Sequence, residues 1–404
     1  MSTEDNKVKV LQISIGGGVF TGVASYLYQY YKYMDRDKVQ FDFLFTNKNS
    51  MRLVMNEDIF SGSTFYELCA INEKTHSNDY KRVLAGISNV LNQKHYDIVV
   101  VNTSVVLMIL VCMLAVKRNK VNCFIAHAHN GDIILNKSSL RSKLSLVSNC
   151  LDGFCRRLIC RNANYLFACS RFAGEKTFGS EAVNLSNFRV IKNAISVEKF
   201  KYNPLVREEI RSMFLDDLNA FVYGNVGQLA ERKNQTFLIE TFAKIKKQQK
   251  SACLWLIGEG PDRGKLEELI KDYNLTDSIR LFGQRDDVSN LMQAMDCFIF
   301  TTKSEGLGIV AIESQAAGLL TMVSDGVPKD VLITDLAHQY CLNDGSDTWA
   351  KSILDIVRSR QQRRCTDMEI KQAGYEIRTE SKAMQDFFVE QVNHSNFADS
   401  KGPR

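Results

Sequence analysis

Short apolar runs recur along the chain, each followed by a glycine or small polar turn and then by a stretch whose apolar positions repeat at helical spacing. Lys9–Ser14, Val39–Phe45, Tyr96–Val101, Cys123–Asn130 and Tyr165–Ser170 read as buried strands, and Phe188–Ile195 closes this first set. A second set begins at Phe221 and continues through Leu254–Ile257, Ile279–Phe282 and Cys297–Phe300. Strands that alternate with helices in this way predict parallel, doubly wound sheets, with ligands at the carboxyl ends of the strands.

One segment tests that pattern against a membrane span. Ile98 to Val116 is almost wholly apolar and close to the ~20 residues that cross a bilayer. Asn102, Thr103 and Ser104 interrupt it, which fits a strand, a turn and a buried helix from Val105 instead. The chain of 404 residues accommodates two domains of ordinary size, and 45% hydrophobic residues suits packed cores. The net charge of +5 is spread along the chain, so nucleic acid is not implied. Eleven cysteines show no C-x-x-C pair and no metal-ligand spacing, and they read as small hydrophobes of a reducing compartment. The polar start, Met1 to Lys7, is unlike a signal peptide, so a cytoplasmic location is expected.

The chemistry concentrates in Ser304–Gly318, which follows the strand Cys297–Phe300 and turns into a helix from Ile309. Gly306 and Gly308 allow a close backbone approach, so amides at the helix start can point at an anion such as a phosphate. Glu305 lies on the loop and Glu313 within the helix, about 7 to 8 Å along its axis. A carboxylate in an otherwise apolar helix is costly unless it has a partner, either a basic residue or the neutral hydroxyls of a sugar and a ribose.

Glu305 and Glu313, in the form E-G-L-G-x-x-x-x-E, resemble the signature of the retaining, nucleotide-sugar-dependent glycosyltransferases of family 4. That resemblance implies a GT-B fold: two Rossmann-like domains facing a cleft, with a C-terminal helix crossing back to the first. It extends along the chain. Gly16, Gly17 and Gly18 match the family's glycine loop near the donor phosphates, and His127-Ala128-His129-Asn130 is similar to an H-S-H-N string whose second histidine faces the transferred sugar. Asn193-Ala194-Ile195 resembles the interdomain linker. Where family members carry G-R-x-x-x-x-K-N, this chain has Gln228 for the arginine and keeps Lys233, with Arg232 available to compensate. Gly258 and Gly260 match a G-x-G-P loop, and Gln284 and Arg285 follow the strand whose end lines the nucleotide base.

The resemblance divides the chain into an acceptor domain over 1–197, a donor domain over 198–375, a crossing helix over 376–395 and a disordered tail over 396–404. It assigns Glu305, His129 and Lys233 to catalysis. Gly17, Gly18, Gln228, Arg232, Lys233, Gly258, Gly260, Gln284, Arg285, Glu305, Gly306, Leu307, Gly308 and Glu313 would hold the donor. The activity implied is retaining transfer of a hexosyl or N-acetylhexosaminyl group from a UDP-sugar to a polyprenyl-linked saccharide in capsule or exopolysaccharide synthesis, with no metal and no cofactor. A GT-B sugar-nucleotide epimerase and a non-catalytic donor-binding subunit are the alternatives, the second encouraged by Gln228. Between Lys137 and Arg161, cations (Arg156, Arg157 and Arg161 among them) alternate with Leu151, Phe154 and Leu158. Such a helix suits an anionic membrane surface, or an ordinary solvated face.

Overall fold

The structure is a computed structural model that describes residues 7–15, 22–45, 58–68, 71–72, 77–129, 145–359 and 363–399. Two α/β units divide between Ala194 and Ile195, and the chain returns to the first unit at Ile377. The first unit holds parallel strands β1 (Val8–Ser14), β2 (Val39–Phe45) and β3 (Phe65–Glu67), and a small antiparallel pair, β4 (Ile71–Asn72) with β5 (Ser77–Asn78). β6 (Ile98–Asn102), β7 (Cys123–Ala128), β8 (Tyr165–Ala168) and β9 (Phe188–Val190) complete its sheet, in the order β3-β2-β1-β6-β7-β8-β9. The second unit repeats the plan with β10 (Val222–Val226), β11 (Cys253–Ile257), β12 (Ile279–Gly283), β13 (Cys297–Phe300), β14 (Leu320–Ser324) and β15 (Ala337–Tyr340). Its order is β12-β11-β10-β13-β14-β15, all parallel. In each sheet the order reverses once, between β1 and β6 and between β10 and β13, and the loops at that reversal are where such sheets hold ligands.

The apolar runs form strands because both faces of a doubly wound sheet are covered. Every residue of β6 and of β13 is buried. The long apolar segment resolves into β6 and a helix, Val106–Arg118, that buries Met108, Ile109, Cys112, Met113 and Val116. Among the described residues no helix is long and apolar enough to cross a membrane.

The division between the units falls at Ala194, three residues before the 197 expected from sequence, because Ile195 is tied to the second unit. Its amide donates to Tyr375 O at 2.9 Å and it forms a parallel bridge with Glu376. The two passages of the chain therefore lie side by side. The helix Ile377–Asp399 then buries Ile377, Met384, Phe387 and Phe388 in the core of the first unit, with Tyr30, Phe41 and Phe167. Ser381 Oγ donates to Tyr30 O at 2.7 Å, and the Asp35 amide donates to Gln385 Oε1 at 2.7 Å. The helix continues to Asp399, past residue 396 where a disordered tail was expected.

Because this helix supplies core and not decoration, Phe388→Ala should destabilise the first unit by about 3 to 5 kcal/mol. Urea unfolding followed by a probe in the first unit would measure it, and a wild-type midpoint would refute the packing role.

Candidate functional site

At the reversal of the second sheet the loops after β10 and β13 are stitched together by backbone. The Lys303 amide donates to Arg232 O at 2.8 Å, Thr302 Oγ1 lies 3.1 Å from the same carbonyl, and Arg232 Nη1 donates to Ser304 O at 2.7 Å. These bonds bring Glu305 to the residues after β10. Its Oε1 accepts from Lys233 Nζ at 2.6 Å, from Arg232 Nη1 at 2.8 Å and from Thr302 Oγ1 at 2.8 Å, while Oε2 takes none of the three. Lys233 Nζ also sits 4.8 Å from the centre of the Phe300 ring.

The electrostatics follow from burial and from the count of charges. Burial works to raise the Glu305 carboxyl, but Lys233, Arg232 and the Thr302 hydroxyl outweigh it and hold it below the ordinary carboxylate value. The Lys233 ammonium is pushed below its usual range by burial, against the pull of Glu305 and with a further push from Arg232. Two cations share one carboxylate, so the cluster carries an excess positive charge that suits an anion.

That cluster lies beside a helix start. Gly308 has φ 85° and caps the helix Ile309–Ala316; a Cβ there would crowd Val327 and Phe300 at 3.2 and 3.3 Å, and would lie 3.7 Å from Glu305 Cγ. The first amides of the helix lack an intrahelical acceptor and favour negative charge. Leu307 is buried and anchors the turn. The Glu305 amide donates to Gly326 O at 2.9 Å, and a Cβ on Gly326 would come within 2.5 Å of the Thr302 and Lys303 carbonyls. Gly326 and Thr302 thus shape the loop, and neither stood out in the sequence, where they look like ordinary turn and strand-end residues.

Glu313 is on the second turn of the same helix and only partly covered. Burial raises its carboxyl to about 7, with Lys199 pulling weakly the other way, and among the described residues it has no ion-pair or hydrogen-bond partner. The pairing with a basic residue that sequence left open is therefore not made.

The remaining donor candidates separate by environment. Gly258 and Gly260 permit contact between loops: a Cβ on Gly258 would lie 2.0 Å from Gly227 O, and one on Gly260 2.2 Å from Leu229 O. Leu229 N donates to Glu259 O and Asp262 N to Leu229 O, both at 3.0 Å, so the loop after β11 braces the loop that carries Lys233. Gln228 is exposed, with its carbonyl held by Gln235 Nε2 at 2.9 Å. Arg232, four residues on, supplies the second cation. Gln284 is exposed, whereas the Arg285 fork is engaged by Asp287 at 2.8 and 2.6 Å. Gly17, Gly18 and Asn130 lie outside the described residues.

In the first unit the strand ends gather Gln12, Asn102, His127 and His129, all buried. His129 Nε2 is 3.0 Å from Asn102 Oδ1, and Asn102 Nδ2 donates to Gln12 Oε1 at 2.9 Å. The two imidazoles are 4.0 Å apart between centroids, with the Tyr26 ring 5.0 Å from each. Burial pushes His129 down to about 3 and His127 well below its usual value, so both are neutral near pH 7. Gln12 and Asn102 were not among the sequence candidates; Asn102 had registered only as a polar break in an apolar run. Among the described residues no group of His, Cys, Asp and Glu is placed to hold a metal.

The family model described as "Glycosyl transferases group 1" matches residues 206–373. The putative glycosyltransferase EpsF of Bacillus subtilis is 27% identical over 363 residues, covering 88% of this chain and 90% of that protein. An Escherichia coli enzyme, UDP-Gal:alpha-D-GlcNAc-diphosphoundecaprenol alpha-1,3-galactosyltransferase, is 25% identical over 60% of this chain and 61% of its own. Anabaena Alr3699/HepE in complex with UDP has a TM-score of 0.66 at 16% identity, covering 98% of this chain and 100% of that one. Two parallel-sheet units, a cationic loop beside a helix start and these relatives make the chain a glycosyltransferase with the GT-B fold, whose residues 206–373 match the group 1 glycosyl transferases.

Proposed function

We propose that the chain transfers a sugar, with retention at the anomeric carbon, from a UDP-sugar held by the second unit to a polyprenyl-linked saccharide. The observation that carries this is the pair of cations, Lys233 and Arg232, sharing one carboxylate beside the Gly308 helix start. A donor diphosphate would take Lys233, Arg232 and the first-turn amides as its partners, and Glu305 would turn to the sugar hydroxyls. Glu313, whose carboxyl has no partner among the described residues and is costly to ionise where it sits, would accept from the ribose hydroxyls. In the transfer the bond from the anomeric carbon to phosphate oxygen breaks as the acceptor oxygen bonds the same face. The acceptor proton passes to the departing phosphate, whose charge the cations stabilise. No step requires a metal or a cofactor.

The printed names of relatives support the finer parts. HepE is seen with UDP and with UDP-glucose, and the Escherichia coli relative uses UDP-Gal and a diphosphoundecaprenol acceptor. A hexosyl or N-acetylhexosaminyl group fits this company, as does a role in exopolysaccharide or capsule synthesis on the cytoplasmic face of a membrane. The non-catalytic alternative loses its main argument because Arg232 restores the charge that Gln228 lacks. A peripheral membrane contact is supported by the helix Ser145–Asn162, where Leu151 and Phe154 are 58% and 60% exposed. Arg156, Arg157 and Arg161 line a groove of about 470 Å³ on the same helix. Lys137, Arg141 and Lys143 lie outside the described residues.

Scanning fluorimetry against UDP, GDP and TDP should show a rise in Tm with UDP that Lys233→Ala and Glu313→Ala each abolish. No shift with any nucleotide would sink the donor site. The Glu313 carboxyl is raised in the fold, so the folded protein binds more protons than the unfolded one between the ordinary carboxylate range and about pH 7. Its contribution to stability therefore declines as pH rises through that window. Glu313→Gln should gain up to about 3 kcal/mol over wild type at pH 8, shrinking towards zero near pH 5, measured by chemical denaturation. In a flotation assay, Leu151→Glu with Phe154→Glu should release the protein from vesicles rich in phosphatidylglycerol; undiminished binding would remove the membrane contact from this helix.

A further inference from the structure

The helix Ser145–Asn162 presents more than one face to its surroundings. At about 100° per residue, Leu151 and Phe154 share an exposed arc, whereas Gly153, Arg156, Arg157 and Cys160 fall on another, within about 100° of one another. This second arc borders the groove of about 470 Å³, whose far wall is the turn from Phe178 to Ala182 with Leu185. That wall has a fixed shape. Gly179, at φ 103°, ends the helix Arg171–Phe178, and the Ala182 amide donates to the Gly179 carbonyl at 3.1 Å. Both walls belong to the first unit.

Arg157 and Arg161 are exposed one helical turn apart, and Arg156 is half-buried. Among the described residues none of the three has an ion-pair or hydrogen-bond partner, whereas Arg263, Arg285 and Arg364 each meet a carboxylate. Like charges at this spacing repel along a helix. With Glu181 as the acid on the lining, the three guanidinium groups leave two positive charges in excess. A dianion relieves such an excess, and the planar fork of arginine matches phosphate oxygens two at a time. We propose that this groove is a binding site for a phosphate or diphosphate group, gripped by Arg157 and Arg161 with Arg156 adding charge. The exposed apolar arc of Leu151 and Phe154 is a different one, so the anion is bound as a discrete ligand and not as diffuse membrane charge. The site goes beyond the donor site proposed above and does not depend on it.

Equilibrium dialysis of the full chain against radiolabelled inorganic diphosphate tests this, with saturating UDP or Lys233→Ala to silence the donor site. Either way one diphosphate should stay bound. Arg157→Gln with Arg161→Gln should weaken that binding about tenfold or more, and thermal melting verifies that the pair still folds. Arg157→Lys with Arg161→Lys keeps the charge and removes the forks, so it should weaken binding about fivefold. No diphosphate bound under UDP, unchanged binding in the glutamine pair, or lysine variants that bind as wild type does would each overturn the site. Competition names the source of the phosphate: tighter binding of geranyl diphosphate than of inorganic diphosphate supports a lipid-borne group, and equal or weaker binding supports a soluble one. Diphosphate that is retained in the groove by a chain that binds no UDP would overturn the donor reading alone, so the two failures are separate outcomes.

Discussion

One carboxylate shared by two cations organises the second unit. Glu305 and Lys233 have only 10% and 14% of their side chains exposed, so neither charge is well hydrated. Their pairing is what makes ionisation tolerable there, and removing one partner of such a pair costs about 3 to 5 kcal/mol, since it strands the other. Thr302 adds a third donor, and the carbonyl of Ser304 accepts from the same Arg232 Nη1 that reaches Glu305. The cluster therefore fixes the loop after β13 against the loop after β10. It also leaves one positive charge in excess, beside a helix start that favours anions. Structure and chemistry use the same contacts.

Backbone proximity makes the cluster possible. Adjacent loops lie against each other at distances that only glycine allows at Gly258, Gly260 and Gly326, where a Cβ would fall within 2.5 Å of a carbonyl oxygen. The amides freed by these approaches are satisfied across loops, as with Leu229 N to Glu259 O and Glu305 N to Gly326 O. This satisfies the requirement that buried polar backbone be paired. The binding face is consequently built from strand-end loops that brace one another and not from isolated turns.

The first unit solves a different problem at its own strand ends. His127 and His129 are buried, which pushes both imidazoles below their usual pKa, and side-chain hydrogen bonds link His129 to Asn102 and Asn102 to Gln12. Behind them, Phe387 and Phe388 of the last helix complete the core that carries these strands. The excursion of the chain through the second unit is therefore folded into the stability of the first.

The sequence by itself determined the alternation of strands and helices, the two-unit plan, the Glu305–Glu313 spacing and the presence of Lys233, because burial on both faces of a sheet and glycine turns write local, periodic signals. The division at Ala194 was off by three residues since it depends on the contacts of Ile195 with Tyr375 and Glu376, which are distant in sequence. Only the tertiary structure decided that Arg232 joins Lys233 at Glu305, that Arg285 is engaged by Asp287, and that Gly258 and Gly260 serve loop contact. The same holds for Asn102 and Gln12. Each comes from a different strand, and their roles arise when the reversal of strand order sets β6 beside β1, a juxtaposition that no local pattern encodes.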